Sequence, residues 1–532
     1  MNNLEGQLDV LIFRAENNSK TMQHLILVPA AAMLPVGIAA AASPKAASDL
    51  PARRPNVLMI SVDDCNVSLG GAFGCSQAVT PNLDRLMASG LSFTNCQTAA
   101  SFSTPSRTAL LTGMAPWNSG CYENQPHLFN IPDRTTLDEL FKKNGYATFG
   151  GGKVYHHMPG YVNLDGFDEY YIWNPEHKKK GWPYQVWNDS KALPGPMPLG
   201  ELGKAVYENF DVFALPDSVE QYMGDTMTAE WAAEVLGREH SDPFFLAVGL
   251  YAPHKANYCP QKYFDLHPLS EIDLSGFRLD EDYFQTDSVP DEVVKFYKGR
   301  INKQHVNGIL TVEDGWKKAV QGYLACCSYA DAQIGKVLSA LANSPYADNT
   351  IVIFWSDNGY HLGEKQLWAK HTSYKQTTNV PMVWSGPGIR KDKVYRGMVS
   401  LMDIFPTLMD LCGLEGDSEP MDGQSISGIL HTLKGDMQRS VVMALQTRGF
   451  CVLTRKWHYN YYTETGAEEL FDRENDPIEY HNLAADPTYT TVIKRLKKSI
   501  PAHPAAPGAS PNAGCKLVCE GESFHWIPFA GR

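Results

Sequence analysis

At 532 residues the chain is too long for one ordinary hydrophobic core, which predicts two domains or one large domain with a smaller appendage. Hydrophobic residues make up 43% and charged residues 20%, the balance of a soluble globular protein. A net charge of -13 argues against a nucleic-acid or anionic-membrane surface; an anionic substrate stays open, provided a local cluster of Arg, Lys, His and metal overrides the distant field.

Lys20 to Ser43 has a basic lead, an apolar core and a small-residue exit. Pro29 and Pro35 interrupt it and alanines end it, so it reads as a secretory signal peptide and not a membrane span. An uncleaved anchor or a disordered leader is the competing reading. Residues 1–53 are therefore leader and linker, Met22 being a better start than Met1. The expected location is secreted or periplasmic, with no stable membrane insertion after cleavage. The eleven cysteines contain no paired Cys-x-x-Cys set, and the odd number leaves at least one thiol unpaired. Cys515 and Cys519 could close a small loop in an oxidising compartment, whereas Cys326 and Cys327 fall inside a helical pattern and are expected to be buried.

Arg54-Pro-Asn-Val-Leu-Met-Ile-Ser-Val62 is a near-continuous apolar run, the look of a parallel strand buried on both faces. It ends in Asp63-Asp64, carboxylates that suit a hard cation such as calcium or magnesium, although such a pair taken alone is more often a turn or a helix cap. Thr80-Pro81 opens a helix. Ser103-Thr-Pro-Ser-Arg107-Thr-Ala-Leu-Leu-Thr-Gly113 has the grammar of a helix start with a glycine stop. Ser103 is expected just ahead of the first turn, where free N–H groups and the helix dipole favour an anion, and Arg107 one turn on adds a fixed positive charge. The same pattern suits Ser103 as an ordinary N-cap.

Thr136 to Gly145 is an amphipathic helix with a glycine stop. A short strand from Gly145 to Phe149 then runs into Gly150-Gly-Gly-Lys153-Val-Tyr-His156-His157, whose glycines allow close backbone approach to a cation and a titratable base. Residues 161–227 show no clean period and many Trp, Tyr, Pro and Gly, as pocket-shaping insertions do. Pro243 to Leu250 is a second buried strand, followed by Ala252-Pro253-His254, and Trp316 to Leu341 is a long helix. Thr350 to Trp355 is a third buried strand, ending in Ser356-Asp357-Asn358-Gly359. In an open parallel sheet Asp63/Asp64, His254 and Asp357/Asn358 would share one edge. Arg448 to Asp472 alternates like short antiparallel strands, and from about Ile500 the chain reads as a low-complexity tail. There is no internal repeat.

The Ser-x-Pro-Ser-Arg…Leu-Thr-Gly pattern resembles the signature of the formylglycine-dependent sulfatases of the alkaline phosphatase superfamily, and matches extend from Arg54 to about Asp486. The likeness is strongest to iduronate-2-sulfatase-like members, although Asn358 follows the arylsulfatase habit where those tend to have His. The resemblance implies an α/β fold with a large, mostly parallel central sheet flanked by helices and a smaller C-terminal α+β subdomain on a short antiparallel sheet. It divides the chain into a catalytic domain at 54–415, the C-terminal subdomain at 416–500 and a tail at 501–532. It implies that Ser103, standing where many members have Cys, is oxidised to 3-oxoalanine (formylglycine) by a serine-type sulfatase-maturating enzyme in a bacterium. Asp63, Asp64, Asp357 and Asn358, with the modified Ser103, would hold Ca2+ or Mg2+. Arg107, Lys153 and Lys370 would stabilise the sulfuryl oxygens; His254 would protonate the leaving oxygen, and His156 would take a proton from the hydrate. His361 could line the pocket. The implied substrate is a sulfated carbohydrate. Two alternatives stay open: a phosphatase or phosphodiesterase of the same superfamily using Ser103 directly, and an inactive secreted glycan-binding protein.

Overall fold

The structure is a computed structural model, and it describes residues 54–125, 130–156, 164–171, 199–206, 210–277, 283–285, 289–298, 302–416, 420–508, 515–520 and 523–528. The leader at 1–53, His157 and much of the 161–227 insertion lie outside the described residues.

Every residue of β1 (Asn56–Val62) is buried, because the strand has a parallel partner on each side. That explains why its sequence runs apolar instead of alternating. The main sheet also contains β2 (Leu91–Gln97), β3 (Ala147–Gly152), β4 (Glu169–Tyr171), β5 (Phe244–Gly249), β6 (Thr350–Ser356), β7 (Asn379–Ser385), β8 (Lys393–Tyr395) and β9 (Val399–Ser400). Its order is β8-β2-β7-β6-β1-β5-β3-β4, with β9 beside β2. All pairings are parallel except those of β7, which runs antiparallel to β2 and β6. The carboxyl ends of β1, β2, β3, β5 and β6 therefore meet the amino end of β7 at one edge.

Helices cover both faces. Leu58, Ile60 and Val62 of β1 pack in one core with α4 (Gly224–Gly237) and the long α5 (Gly315–Ala342), which contribute Trp231, Tyr323 and Ile334. Val57 and Met59 point the other way, into a core with Leu110 of α2 (Ser103–Thr112), Phe141 of α3 (Leu137–Lys143) and Leu408 of α6 (Ile404–Cys412). The helix opened by Thr80-Pro81, α1 (Pro81–Ser89), has Thr80 at its cap position, although the Thr80 side chain makes no capping hydrogen bond.

Beyond α6 a second sheet runs β10 (Val441–Ala444), β11 (Gly449–Leu453), β12 (Trp457–Tyr462) and β13 (Glu468–Asp472) as an antiparallel meander. It is covered by Ile493 and Leu496 of α7 (Thr490–Lys497). Ala444 joins it to the main body through an N–H to the Ala99 carbonyl at 2.9 Å. The fold is thus the expected mostly parallel α/β sheet with a small antiparallel sheet. The tail differs from expectation: 515–520 and 523–528 pair as an antiparallel hairpin, β14 (Cys515–Glu520) with β15 (Ser523–Pro528). Cys515 and Cys519 both fall within β14. Cys326 and Cys327 are buried, and no described helix is long and apolar enough to cross a membrane.

Candidate active site

Asp63 and Asp64 follow β1 directly and are fully buried. Asp64 adopts a left-handed φ of 60°, a strained choice for a non-glycine residue that persists only when its surroundings impose it. They do so here. The Tyr323 hydroxyl of α5 donates to the Asp64 carbonyl at 2.8 Å and accepts from the Asn66 N–H at 2.9 Å. The Asp64 N–H donates to Asp357 Oδ1 at 3.1 Å, and the Cys65 N–H to Ser356 Oγ at 2.9 Å. The ends of β1 and β6 are thereby locked together. Asn358 Nδ2 donates to Asp64 Oδ1 at 2.6 Å, while its Oδ1 lies 3.4 Å from Ser103 Oγ.

Ser103 is the first helical residue of α2, with Phe102 in the cap position, so it stands one place further into the helix than its sequence pattern suggested. All ten residues of α2 are buried, and Ser106 of its first turn donates to the Asp357 carbonyl at 2.6 Å. Ser103 Oγ donates to Asp63 Oδ1 at 3.2 Å and accepts from Lys370 Nζ at 2.9 Å. Lys370 also donates to Asp64 Oδ1 at 2.6 Å. Arg107, one turn along, aims Nε at Asp357 Oδ2 at 3.0 Å and Nη1 at the Val154 carbonyl at 3.0 Å. Its Nη2 is buried without a hydrogen bond, 3.7 Å from Asp63 Oδ1. Lys153 pairs with Asp63 Oδ2. Gly152 permits this approach: a Cβ there would lie 2.0 Å from the Gly249 carbonyl, and its φ of 69° favours glycine. His254, partly exposed, places Nε2 3.6 Å from Asp64 Oδ2. His156 is buried, its ring 6.4 Å from that of Phe102, the residue before Ser103.

The structure therefore brings Asp63, Asp64, Ser103, Arg107, Lys153, His254, Asp357, Asn358 and Lys370 into one buried network, with His156 beside it. His361 does not line it: it is fully buried in its own loop, with Nε2 2.9 Å from Thr372 Oγ1. Supporting residues also emerged that the chain's pattern did not signal. Asp225 accepts from the N–H groups of Tyr251 and Ala252, each at 2.8 Å, and so sets the turn that carries His254. Asp225 lies in the aperiodic stretch and Tyr323 inside a long helix, where only three-dimensional neighbours reveal their use.

Charge dominates the electrostatics. Burial alone would raise the Asp63 and Asp64 carboxyls, but Lys153 with His254, and Lys370 with His254, respectively outweigh it and hold both below the ordinary range. Burial pulls Lys153 down despite Asp63, with Arg107 and Lys370 adding to that pull. Burial also opposes the charged forms of Lys370 and Arg107, yet Asp64 and Asp63 raise the first, and Asp357 and Asp63 the second. Desolvation lowers His254. Asp63, Asp64 and His254 offer ligand atoms within 4.8 Å of one another, and Asp64 Oδ2 is buried without a hydrogen bond. Carboxylate and amide oxygens from Asp63, Asp64, Asp357 and Asn358 form a donor set that fits a hard divalent cation.

A family model described as Sulfatase matches residues 55–414, and one described as N-sulphoglucosamine sulphohydrolase, C-terminal, matches 363–505. The chain belongs to the sulfatase family, a class of sulfuric ester hydrolases. It is 33% identical over 456 residues to a sulfatase of Formosa agariphila, covering 84% of this chain and 86% of that one. It is 30% identical to iduronate 2-sulfatase of Homo sapiens, covering 68% and 69%. A solved 2-O GAG sulfatase shares the fold at a TM-score of 0.62 and 24% identity, covering 84% of this chain and 91% of that one.

Proposed function

We propose that this sulfatase removes sulfate from a sulfated carbohydrate, using a formylglycine made from Ser103. The carrying observation is the position of Ser103 Oγ, within hydrogen-bond reach of Asp63 and Lys370 inside a buried set of carboxylates and cations. The iduronate 2-sulfatase and 2-O GAG sulfatase relatives support the substrate class.

Oxidation of Ser103 supplies an aldehyde whose hydrate offers one hydroxyl to attack sulfur and a second whose deprotonation expels sulfate. Asp63, Asp64, Asp357 and Asn358 would hold a Ca2+ or Mg2+ ion, which would lower the hydrate's pKa and neutralise charge. Arg107, Lys153 and Lys370 bring three fixed cations to the sulfuryl oxygens as negative charge develops there. Protonation of the departing sugar oxygen falls to His254, at the accessible side of the network. His156 takes the proton from the second hydroxyl. A phosphatase reading finds less support: among the described residues one carboxylate and histidine group is placed to hold metal, where a two-zinc site would need more. Export through the 20–43 leader and maturation by a serine-type sulfatase-maturating enzyme in a bacterial host complete the proposal.

Mass spectrometry of the Ser103 peptide, after co-expression with a serine-type maturase, is expected to show loss of two hydrogens from that residue. Only the matured protein should then release sulfate from a panel of sulfated oligosaccharides. Full turnover by protein retaining the Ser103 hydroxyl would overturn the mechanism.

A further inference from the structure

Lys370 rides on a loop whose backbone is left-handed at Lys365, Gln366, Ala369 and His371, with φ of 58°, 56°, 87° and 70°. Each such conformer is strained outside glycine, so the loop keeps its shape only if its ends are firmly held. One end is held by a lysine. The Lys365 side chain is fully buried, and its ammonium lies 3.5 Å from the ring centre of Tyr283, 4.3 Å from Tyr480, 4.7 Å from Tyr374 and 5.5 Å from Phe471. It donates to the Glu479 carbonyl, and its backbone N–H donates to the Tyr480 hydroxyl at 3.1 Å. A charge so fully removed from water is costly, and the ring faces and carbonyl offset that cost only in this one position.

The other end is held by the same turn of the C-terminal sheet. The Lys375 N–H donates to Glu479 Oε2 at 2.9 Å, and Glu479 Oε1 lies 2.6 Å from His458 Nδ1 of β12. The cage rings are themselves fixed, since Tyr283 and Tyr374 donate to the buried Glu469 of β13 at 2.8 and 3.1 Å. Within the loop, 361–362 pairs with 368–369, and Gly363 packs against Trp316, where a Cβ would lie 1.8 Å from the indole. Residues 365 and 375 thus bracket Lys370 and are both tied to Glu479, with Lys365 held by Tyr480 as well.

We propose that Lys365, with the Glu479–Tyr480 turn, is a positioning clamp through which the C-terminal sheet holds Lys370 against Ser103 and Asp64. The inference rests on the reading of Lys370 as a group that acts on the sulfuryl oxygens. Lys365 itself touches no reacting atom; it acts through Lys370.

The test is a double-mutant cycle on the matured full-length enzyme, with a sulfated oligosaccharide that the wild type hydrolyses. Lys365→Met is expected to lower kcat on the order of 10²-fold, as displacement of a catalytic group by about 1 Å does, whereas Lys365→Arg keeps most of the activity. In a Lys370→Ala background Lys365→Met should cost nothing further, because the group it positions is gone. An equal loss in both backgrounds, or an unchanged kcat, overturns the clamp. Should Lys365→Met not fold, Tyr480→Phe, which removes only the hydroxyl that accepts from Lys365, runs the same cycle. Hydrogen exchange of peptides spanning 361–375 should rise in either variant more than elsewhere; unchanged exchange also overturns the clamp. That arm reads the clamp even if the wild type releases no sulfate, an outcome that would sink the functional reading alone.

Discussion

Ser103 is a small hydroxyl whose hydrogen-bond partners are Asp63, Asn358 and Lys370, and it is entirely buried. Such a cluster survives away from water only because acids and bases are interleaved: Asp63 with Lys153, Asp64 with Lys370, Asp357 with Arg107. Removing one member leaves its partner as an uncompensated buried charge. Asp357→Asn keeps the shape but takes away the charge that Arg107 Nε faces at 3.0 Å. It is expected to lower stability by about 3 kcal/mol, read as a shift of the urea midpoint at constant slope. A shift within a few tenths of a kcal/mol would show that Asp63 alone suffices for Arg107.

Among the elements, the strand ends and the turn after β13 do different work. β1 and β6 present carboxylates because the chain leaves the sheet there and must turn, and N–H groups exposed by that turn are satisfied by the acids themselves. The Glu479 turn instead carries a buried acid for structural reasons. Burial would raise its carboxyl, but His458 above all, then the Lys375 N–H and Arg473, bring it down to about 2 from an ordinary 4.5. A carboxyl lowered by folding contributes stability that is complete above its unfolded value and fades as pH falls through the folded one. The window is therefore pH 4.5 down to about 2. The stability difference between wild type and Glu479→Gln should be present near neutrality and shrink across that window, as urea unfolding at several pH values would show; a constant difference would mean that the acid is not ionised when folded. The amphipathic and buried elements themselves were legible in the chain: α5 occupies Gly315–Ala342 where the pattern placed Trp316 to Leu341, and β6 occupies Thr350–Ser356. The β14–β15 hairpin was not, because its residues lie in a Pro-, Ala- and Gly-rich context that carries no clear period.

For the whole molecule, the two sheets share their contacts. Ala444 bonds to Ala99 next to α2, and one apolar cluster combines Tyr283 and Leu367 with Tyr462 and Phe471 of the C-terminal sheet. Calorimetry is expected to show one cooperative transition; two separated transitions would contradict this coupling. Ca2+ in hundredfold excess over its dissociation constant should add about 2.7 kcal/mol of stability to the wild type, with the gain removed by chelator and absent in Asp64→Ala. No thermal shift with Ca2+ or Mg2+ would count against the acidic cluster as a cation site.

From its residues in order, the chain disclosed where charge meets the ends of buried strands, since a run such as Val57 to Val62 can be placed by hydrophobicity alone and Asp63-Asp64 follows it. It also showed that Ser103 and Arg107 share one helical turn. What the chain could not show is how distant segments close on one another. Lys370 reaches Ser103 across 267 positions, and Lys365 finds its cage in rings spread from Tyr283 to Tyr480. Those contacts have no local period, because they are set by sheet order and by the packing of one sheet on the other.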